Sequence, residues 1–270
     1  FRDVFLGFYN ISTNPEVIFY RPGANSTSIE NDNGPLGFSN NAAGRGRTLP
    51  TQNLVDAFPM LDGKVAGESR YTLGTGVEQY QNRDPRLNYT ILHHGSTWLN
   101  TTLDTSIGGT NNPSNTSEYS TTSYYMCKFM GKFENASEYS SVIHNWAMDR
   151  YAEGLLNYAE AQNEYSGPDQ SVYDAIIALR KRAGIESGDN NLYGLDPLDE
   201  MTQDKMREII HNERRIEMAF EEQRYWDIRR WRIAENVFNE PLKGLEIRSS
   251  EGSQTFELVD VLTTTFATRQ

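Results

Sequence analysis

Residues 213–231 interleave charge with bulk: Glu213-Arg214-Arg215-Ile216-Glu217-Met218-Ala219-Phe220-Glu221, continuing through Arg224-Tyr225-Trp226-Asp227-Ile228-Arg229-Arg230-Trp231. Large apolar residues recur there at helical spacing, so the segment must pack, and packing it takes charged neighbours out of water. Arg214 and Glu217 stand three apart, as do Arg224, Asp227 and Arg230, so acids and guanidiniums can meet along one helix. A carboxylate-rich helix could serve acid–base chemistry, but here every acid has an arginine within reach. The pattern predicts a buried or half-buried structural ion network rather than a catalytic site. Arg83-Asp84-Pro85-Arg86 reads the same way, its proline setting a turn and its aspartate accepting from the arginines or the backbone. Trp226 and Trp231, five residues apart, flank the helix and are both expected to be largely buried.

Composition divides the chain near residue 145. Residues 1–145 hold 14 of the 21 Gly and 7 of the 10 Pro, so they read as loops, short strands and a few short helices. Glu16-Val17-Ile18-Phe19-Tyr20 is a strand candidate. Asn25 to Arg47 reads as a long structureless loop, a kind of segment that is usually functional or mobile. From Ala147 the periodicity turns helical, with Tyr151, Leu155, Tyr158 and Ala159 predicting one apolar face. Val172, Tyr173, Ile176, Ile177, Leu179 and Ala183 stripe a second helix that Gly184 caps. Thr202 suits the N-cap of a third, striped by Met206, Ile209, Ile210, Ile216, Ala219 and Phe220. A further helix carries Tyr225 to Ile233. Antiparallel helix pairs of this size suggest tetratricopeptide-like hairpins, although no strict repeat is visible. Residues 242–270 read as a polar β-hairpin turning near Ser249–Ser253. The expected organisation is therefore a loop-rich, ligand-binding region over 1–145, a helical core over 146–241 and a hairpin tail over 242–270, all parts of one domain.

The 25 Lys and Arg against 37 Asp and Glu give a net charge of −12, with no basic run, which disfavours nucleic acid and anionic lipid as partners. A single cysteine, Cys127, excludes an internal disulfide and reads as a small buried hydrophobe. No membrane-spanning run is present. The chain opens in mid-pattern at Phe1-Arg2-Asp3 and reads as a fragment of something longer. Metal and nucleotide motifs are poor. His211-Asn212-Glu213 lacks the second histidine of a zincin helix, and adjacent His93-His94 would point oppositely on a strand. Gly44-Arg45-Gly46-Arg47 fits no phosphate cradle. Asn31-Asp32-Asn33-Gly34 is similar to a calcium loop but has Ile29 where an acid belongs, so a surface turn is preferred and Ca²⁺ is the only cofactor left open. Six Asn-x-Ser/Thr sequons follow from Asn, Ser and Thr richness.

Five segments in order resemble one family. Pro50-Thr51-Gln52-Asn53-Leu54-Val55-Asp56-Ala57-Phe58 with Asp62-Gly63, then Asn82-Arg83-Asp84-Pro85-Arg86-Leu87, are similar to motifs of the SusD/RagB-like nutrient-binding outer-membrane lipoproteins of Bacteroidetes. So are Arg150-Tyr151-Ala152-Glu153-Gly154-Leu155-Leu156-Asn157-Tyr158-Ala159-Glu160-Ala161, Leu179 to Ile185, and Glu213 to Trp231. The resemblance covers the middle and C-terminal part of such a protein; the family's N-terminal helical repeats and its closing tail would fall outside Phe1–Gln270. It implies a mainly α SusD-like fold with tetratricopeptide-like hairpins plus a loop-rich region with short strands. It also implies a non-catalytic, lipid-anchored binding protein at the outer-membrane cell surface, whose anchor lies outside this sequence. The implied partner is a SusC-like TonB-dependent transporter, over which the chain acts as a lid that captures an oligosaccharide and hands it on.

Sugars present apolar faces and rings of hydroxyls, so their sites pair aromatics with amides and arginine. Tyr20, Arg21, Asn33, Phe38, Asn40 and Asn41 supply that mixture in one tract, and the resemblance implies that this loop contributes to ligand binding. Trp98, beside Gly95-Ser96 and Asn100, forms a second candidate with Asn100, though a partly buried loop anchor is an equal reading for the indole. Tyr124-Tyr125 reads as core. The alternatives are a peptide ligand on the same fold, a glycoside hydrolase, and a helical-repeat adaptor for protein partners. A hydrolase would need two carboxylates lining an open cleft, so the direction in which Glu213, Glu217, Glu221 and Asp227 point discriminates it.

Overall fold

The structure, a computed structural model, describes residues 1–5, 13–39, 42–113, 122–131, 133, 135, 137–138, 141–250 and 252–262. It is mainly helical. Helices α1 (Ser28–Asn33), α2 (Gln52–Ala57) and α3 (Arg86–Thr90) lie in the first half. The second half carries α4 (Tyr151–Ser166), α5 (Gln170–Ala183), α6 (Gln203–Glu217), α7 (Arg224–Arg230) and α8 (Ala234–Asn239). The strands β1 (Val17–Arg21), β2 (Asn25–Ser26), β3 (Ile91–Leu92), β4 (Thr97–Trp98), β5 (Thr101–Thr102), β6 (Tyr125–Met126), β7 (Val142–Ile143), β8 (Trp146–Arg150), β9 (Leu242–Ser250) and β10 (Ser253–Leu262) pair antiparallel, two by two.

Local chemistry sets the helix ends. Asp169 accepts from the backbone N–H of Ser171 at 2.9 Å and Val172 at 3.1 Å at the start of α5, and Gly184 ends it at φ +92°. Thr202 accepts from Lys205 N–H at 3.2 Å to open α6. Ala152, Leu156 and Ala159 of α4 pack with Val172, Tyr173, Ile176 and Leu179 of α5 and Met206 and Ile210 of α6. The packed face of α4 is thus turned from the one its tyrosines predict: Tyr151 and Tyr158 are exposed and Leu155 half-buried. Both stripes are apolar in sequence, and the narrower alanine face allows the closer approach to α5 and α6. A second cluster gathers Val55, Phe58, Leu87, Ile91, Tyr124 and Ile216 with Leu245 and Ile247 of β9, so the C-terminal hairpin is polar on one face only. A third holds Leu92, Trp98, Leu99, Leu103, Tyr125 and Met130.

Two expectations need correction. Residues 25–47 are not structureless, because α1 forms within them. Its buried Glu30 accepts from Gly131 N–H at 2.9 Å and meets His144 Nε2 at 3.0 Å, ties that local periodicity cannot reveal. Nor does the helix from Thr202 run on to Phe220. It stops at Glu217, and left-handed residues at Phe220 (φ +64°) and Glu222 (φ +63°) redirect the chain before α7. That break turns Asp227 and Ile228 inward and leaves Trp226 65% exposed. Trp231 is half-buried, stacked on His211 at 3.6 Å, with its indole N–H donating to Glu160 at 2.9 Å.

Beneath these clusters lies the charge that residues 213–231 predict. Glu217 is fully buried; its Oε1 meets Arg150 at 2.6 Å and Arg182 at 2.7 Å, and its Oε2 meets Arg86 at 2.8 Å. Arg86 also pairs with Asp84 at 2.6 Å and Glu213 at 2.7 Å, and Arg180 reaches Glu213 at 3.0 Å. Arg150 continues to Glu221 at 2.7 Å and Glu16 at 2.8 Å, and buried Lys128 meets Glu221 at 2.6 Å. Five cations thus face five carboxylates, Asp84, Glu16, Glu213, Glu217 and Glu221. Burial alone would raise the carboxyl pKa values. The guanidiniums, with Lys128 at Glu221, win, holding Glu213 and Glu221 below and Glu217 well below the usual 4.5. Arg214 clamps Asp227 separately, its Nε donating at 2.9 and 2.8 Å.

Replacing Glu217 with alanine strands three guanidiniums in the interior and should cost about 3–5 kcal/mol in urea unfolding; a cost below ~1 kcal/mol would mean that the cluster does not hold the fold. Acid should act through the same groups. The depressed glutamates mean that below pH 4.5 the unfolded chain binds more protons than the folded one, so their stabilisation is present above 4.5 and lost as pH falls through their lowered values. Unfolding monitored across pH 3–7 should steepen below about 4.5; unchanged stability at pH 3 would contradict it.

Candidate functional site

The ion cluster places α3, because Arg86 is at once the hub of the cluster and the first residue of that helix. Its backbone N–H donates to Asp84 Oδ1 at 2.9 Å, which fixes the turn through Pro85. One turn on, Asn88 and Tyr89 face solvent. The chain then enters β3, whose Ile91 and Leu92 pair with Met126 and Tyr125 of β6. It turns through His93–Ser96 into the β4–β5 hairpin, where Thr97 pairs with Thr102 and Trp98 with Thr101. The two hairpin residues, Leu99 (φ +50°) and Asn100 (φ +58°), are both left-handed, the geometry of a type I′ turn. Asparagine tolerates that conformation and leucine does not. Leu99 holds it because its side chain is 4% exposed in the third cluster, and Asn100 is thereby presented to solvent.

Between α3 and this hairpin run two adjoining cavities. One, of about 400 Å³, is lined by Val77, Tyr80, Gln81, Asn88, His93, His94 and Ser96 among others; the second, of about 220 Å³, by Arg2, Tyr89, Trp98, Asn100, Cys127 and Phe133. Asn88, Leu92 and Thr97 line both, so the two form one trough. Its walls offer amides, hydroxyls and aromatic faces. His93 stacks on Tyr80 at 3.7 Å between ring centroids, and burial pulls its pKa down to about 4, so it is neutral at physiological pH. A neutral ring donates once, and both its nitrogens face acceptors: the His94 carbonyl lies 2.8 Å from Nδ1 and the Asn88 side-chain oxygen 3.1 Å from Nε2. Burial pushes the Cys127 thiol up to about 11, away from thiolate reactivity.

The other sequence candidates lie differently. Trp98 and Asn100 share the trough, but Trp98 is 6% exposed and serves mainly as the anchor of the hairpin. Phe38 is half-buried against the same apolar cluster as Trp98. Asn33 closes α1, its side-chain N–H donating to the Ile29 carbonyl at 3.0 Å. Tyr20 and Arg21 lie on β1, paired with Ala147 and Trp146 of β8. Asn40 and Asn41 fall outside the described residues. In the stretch similar to a calcium loop, Asp32 is engaged by Arg45 and Arg47, each at 3.2 Å. Among the described residues no group of three or more His, Cys, Asp or Glu could hold a metal ion. Sequence reasoning missed Asn88, Tyr89 and His93 as site residues, although Asn88-Tyr89 directly follows the Asn82–Leu87 motif and marks the exposed turn of α3.

Set against known proteins, residues 15–260 match the SusD family. Over 115 residues the chain is 38% identical to SusD-like protein P2 of Formosa agariphila, covering 43% of this chain and 22% of that relative. A SusD-like protein from Bacteroides fragilis has a crystal structure similar to this one, with a TM-score of 0.70 and 27% identity over 98% of this chain and 52% of that one. A SusD-like carbohydrate-binding protein of the same organism gives 0.69 and 26%, covering 90% and 46%. The chain thus spans about half the length of those solved structures.

The stacked, buried environment of His93 predicts an imidazole titration midpoint near 4 by NMR. Its neutral form is favoured in the fold, so between the usual 6.5 and about 4 the unfolded chain binds the extra proton and acid erodes stability. A midpoint at 6.5 would show that the ring is open to water.

Proposed function

The chain belongs to the SusD family, and we propose that this protein is a non-catalytic oligosaccharide receptor of the outer-membrane cell surface that delivers its ligand to a TonB-dependent transporter. The observation that carries the proposal is the trough. It is an open run of amides, hydroxyls and aromatic faces over α3 and the β4–β5 hairpin, with the cation Arg2 at its smaller end, the chemistry that meets sugar hydroxyls and the apolar faces of their rings. Capture rests on Asn88 and Asn100, whose amides both donate and accept, and on Tyr89, which is 39% exposed and offers a ring face. The similarity to a structure described as a SusD-like carbohydrate-binding protein supports the ligand class.

Hydrolysis is disfavoured by the fate of the carboxylates. Glu213, Glu217, Glu221 and Asp227 are all buried, each paired with a cation, and their cationic partners hold the three glutamates below the usual carboxyl range, the opposite of what a general acid needs. Binding without bond cleavage leaves the ligand intact for transfer, and the transporter partner and lid motion belong to the same proposal. Among the described residues no helix is long and apolar enough to cross a membrane; attachment to the outer membrane through a lipid anchor is part of the same proposal.

The test is calorimetric titration of a panel of oligosaccharides into the full-length protein and its Asn88→Ala and Asn100→Ala variants. Each variant should lose roughly tenfold in affinity for the glycan that binds, the scale of one or two hydrogen bonds, and keep its melting temperature. Unchanged affinity in both, or binding of peptides and of no glycan, would overturn the proposal.

A further inference from the structure

The two ends of the trough differ in charge, and the difference falls on one residue. Arg2, on the short 3-10 turn Arg2–Val4, lines the smaller cavity with Asn88, Tyr89 and Asn100. Its guanidinium carbon lies 5.9 Å from the centre of the Tyr89 ring. It is half-buried and, among the described residues, its side chain makes no hydrogen bond and no ion pair. The guanidiniums of Arg86, Arg150, Arg180, Arg182 and Arg214 each grip a carboxylate. In a chain of net charge −12, carboxylates are plentiful, yet none among the described residues pairs with Arg2. The larger cavity has no counterpart, because His93 is neutral and His94 is held neutral by burial.

We propose that the Arg2 end of the trough is a subsite for an acidic sugar, a uronate whose carboxylate takes the free guanidinium. This inference rests on the glycan-binding reading of the trough and adds to it the class of sugar. Arginine offers a planar fork of N–H donors that matches a carboxylate in a bidentate pair. A pyranose ring laid against Tyr89 would place its C–H face on the exposed phenol ring and direct an equatorial carboxylate toward the cation above it. Asn100 and Asn88 then flank the ring with donors and acceptors for its hydroxyls. The cavity of about 220 Å³ is on the scale of a single sugar ring rather than a chain, so one uronate would sit here and its neutral neighbours would run into the larger cavity. Arg2 acts by charge and shape together, so lysine in its place restores only part of the effect.

The experiment titrates full-length protein with short oligomers of galacturonate, glucuronate and mannuronate. Each is compared with its methyl ester, which keeps the shape and removes the charge, and with neutral gluco- and manno-oligosaccharides of equal length. At least one uronate should bind about tenfold more tightly than its ester, the scale of a charge-assisted hydrogen bond. Arg2→Gln should abolish that preference without weakening the ester, and raising the salt to 0.5 M should reduce it. An unchanged melting temperature of Arg2→Gln serves as the folding control. Ester, acid and neutral oligomers binding alike, with Arg2→Gln indistinguishable from wild type, would overturn the acidic subsite and leave the glycan site standing. Failure of every oligosaccharide to bind would overturn both.

Discussion

Glu217 is the residue on which the rest of the structure turns. Its single carboxylate is shared by Arg86, Arg150 and Arg182, which come from α3, the end of β8 and α5. No apolar contact could join three such remote segments at one point with fixed geometry. Charged groups can, provided that every oxygen and N–H finds a partner, and the cluster comes close to that condition by balancing five cations with five carboxylates. Lys128 shows the strain of the arrangement: burial pulls it down to about 8, and it remains paired through Glu221 and the carbonyls of Glu217 and Ala219.

From that cluster the site follows by short steps. Arg86 opens α3, α3 carries Asn88 and Tyr89 to the surface, and β3 ties the next residues to β6. The β4–β5 hairpin then closes the other wall, with Leu99 forced into a left-handed turn by its place in the core. The proposed recognition surface, made of loops, is thereby held on a rigid base, which lets weak polar contacts add up without paying again for ordering. The carboxylates that might have done chemistry are the ones consumed in making that base.

How much of this was legible in the sequence depended on whether the determining contacts were local. That the acids of residues 213–231 would be buried against cations was readable from their interleaving with bulk at helical spacing. Which cations meet Glu213, Glu217 and Glu221 was not, since Arg86, Arg150, Arg180, Arg182 and Lys128 arrive from distant segments. The helices from Tyr151 to Glu217 were readable from stripes and caps, but the orientation of α4 was not, because its tyrosine and alanine stripes are both apolar. Trp226 was misplaced for want of one fact, the left-handed Phe220 that ends the helix phase. Helix α1 was invisible because Ser28–Asn33 contains one apolar residue, Ile29, and its order comes from Glu30 meeting Gly131 and His144. Within the trough, Trp98 and Asn100 stood out as an aromatic beside an amide in a polar tract. Asn88, Tyr89 and His93 did not, since only the turn from α3 through β3 to β4 brings them opposite that hairpin.

The central claim is that ligand is held between α3 and the β4–β5 hairpin, on a base fixed by buried charge. Hydrogen–deuterium exchange of the full-length protein, with and without a saturating oligosaccharide that it binds, tests this most directly. The account predicts slowed exchange over residues 88–102 with the helices α4–α6 unchanged. Protection confined to the helices, or to segments far from 88–102, would contradict it.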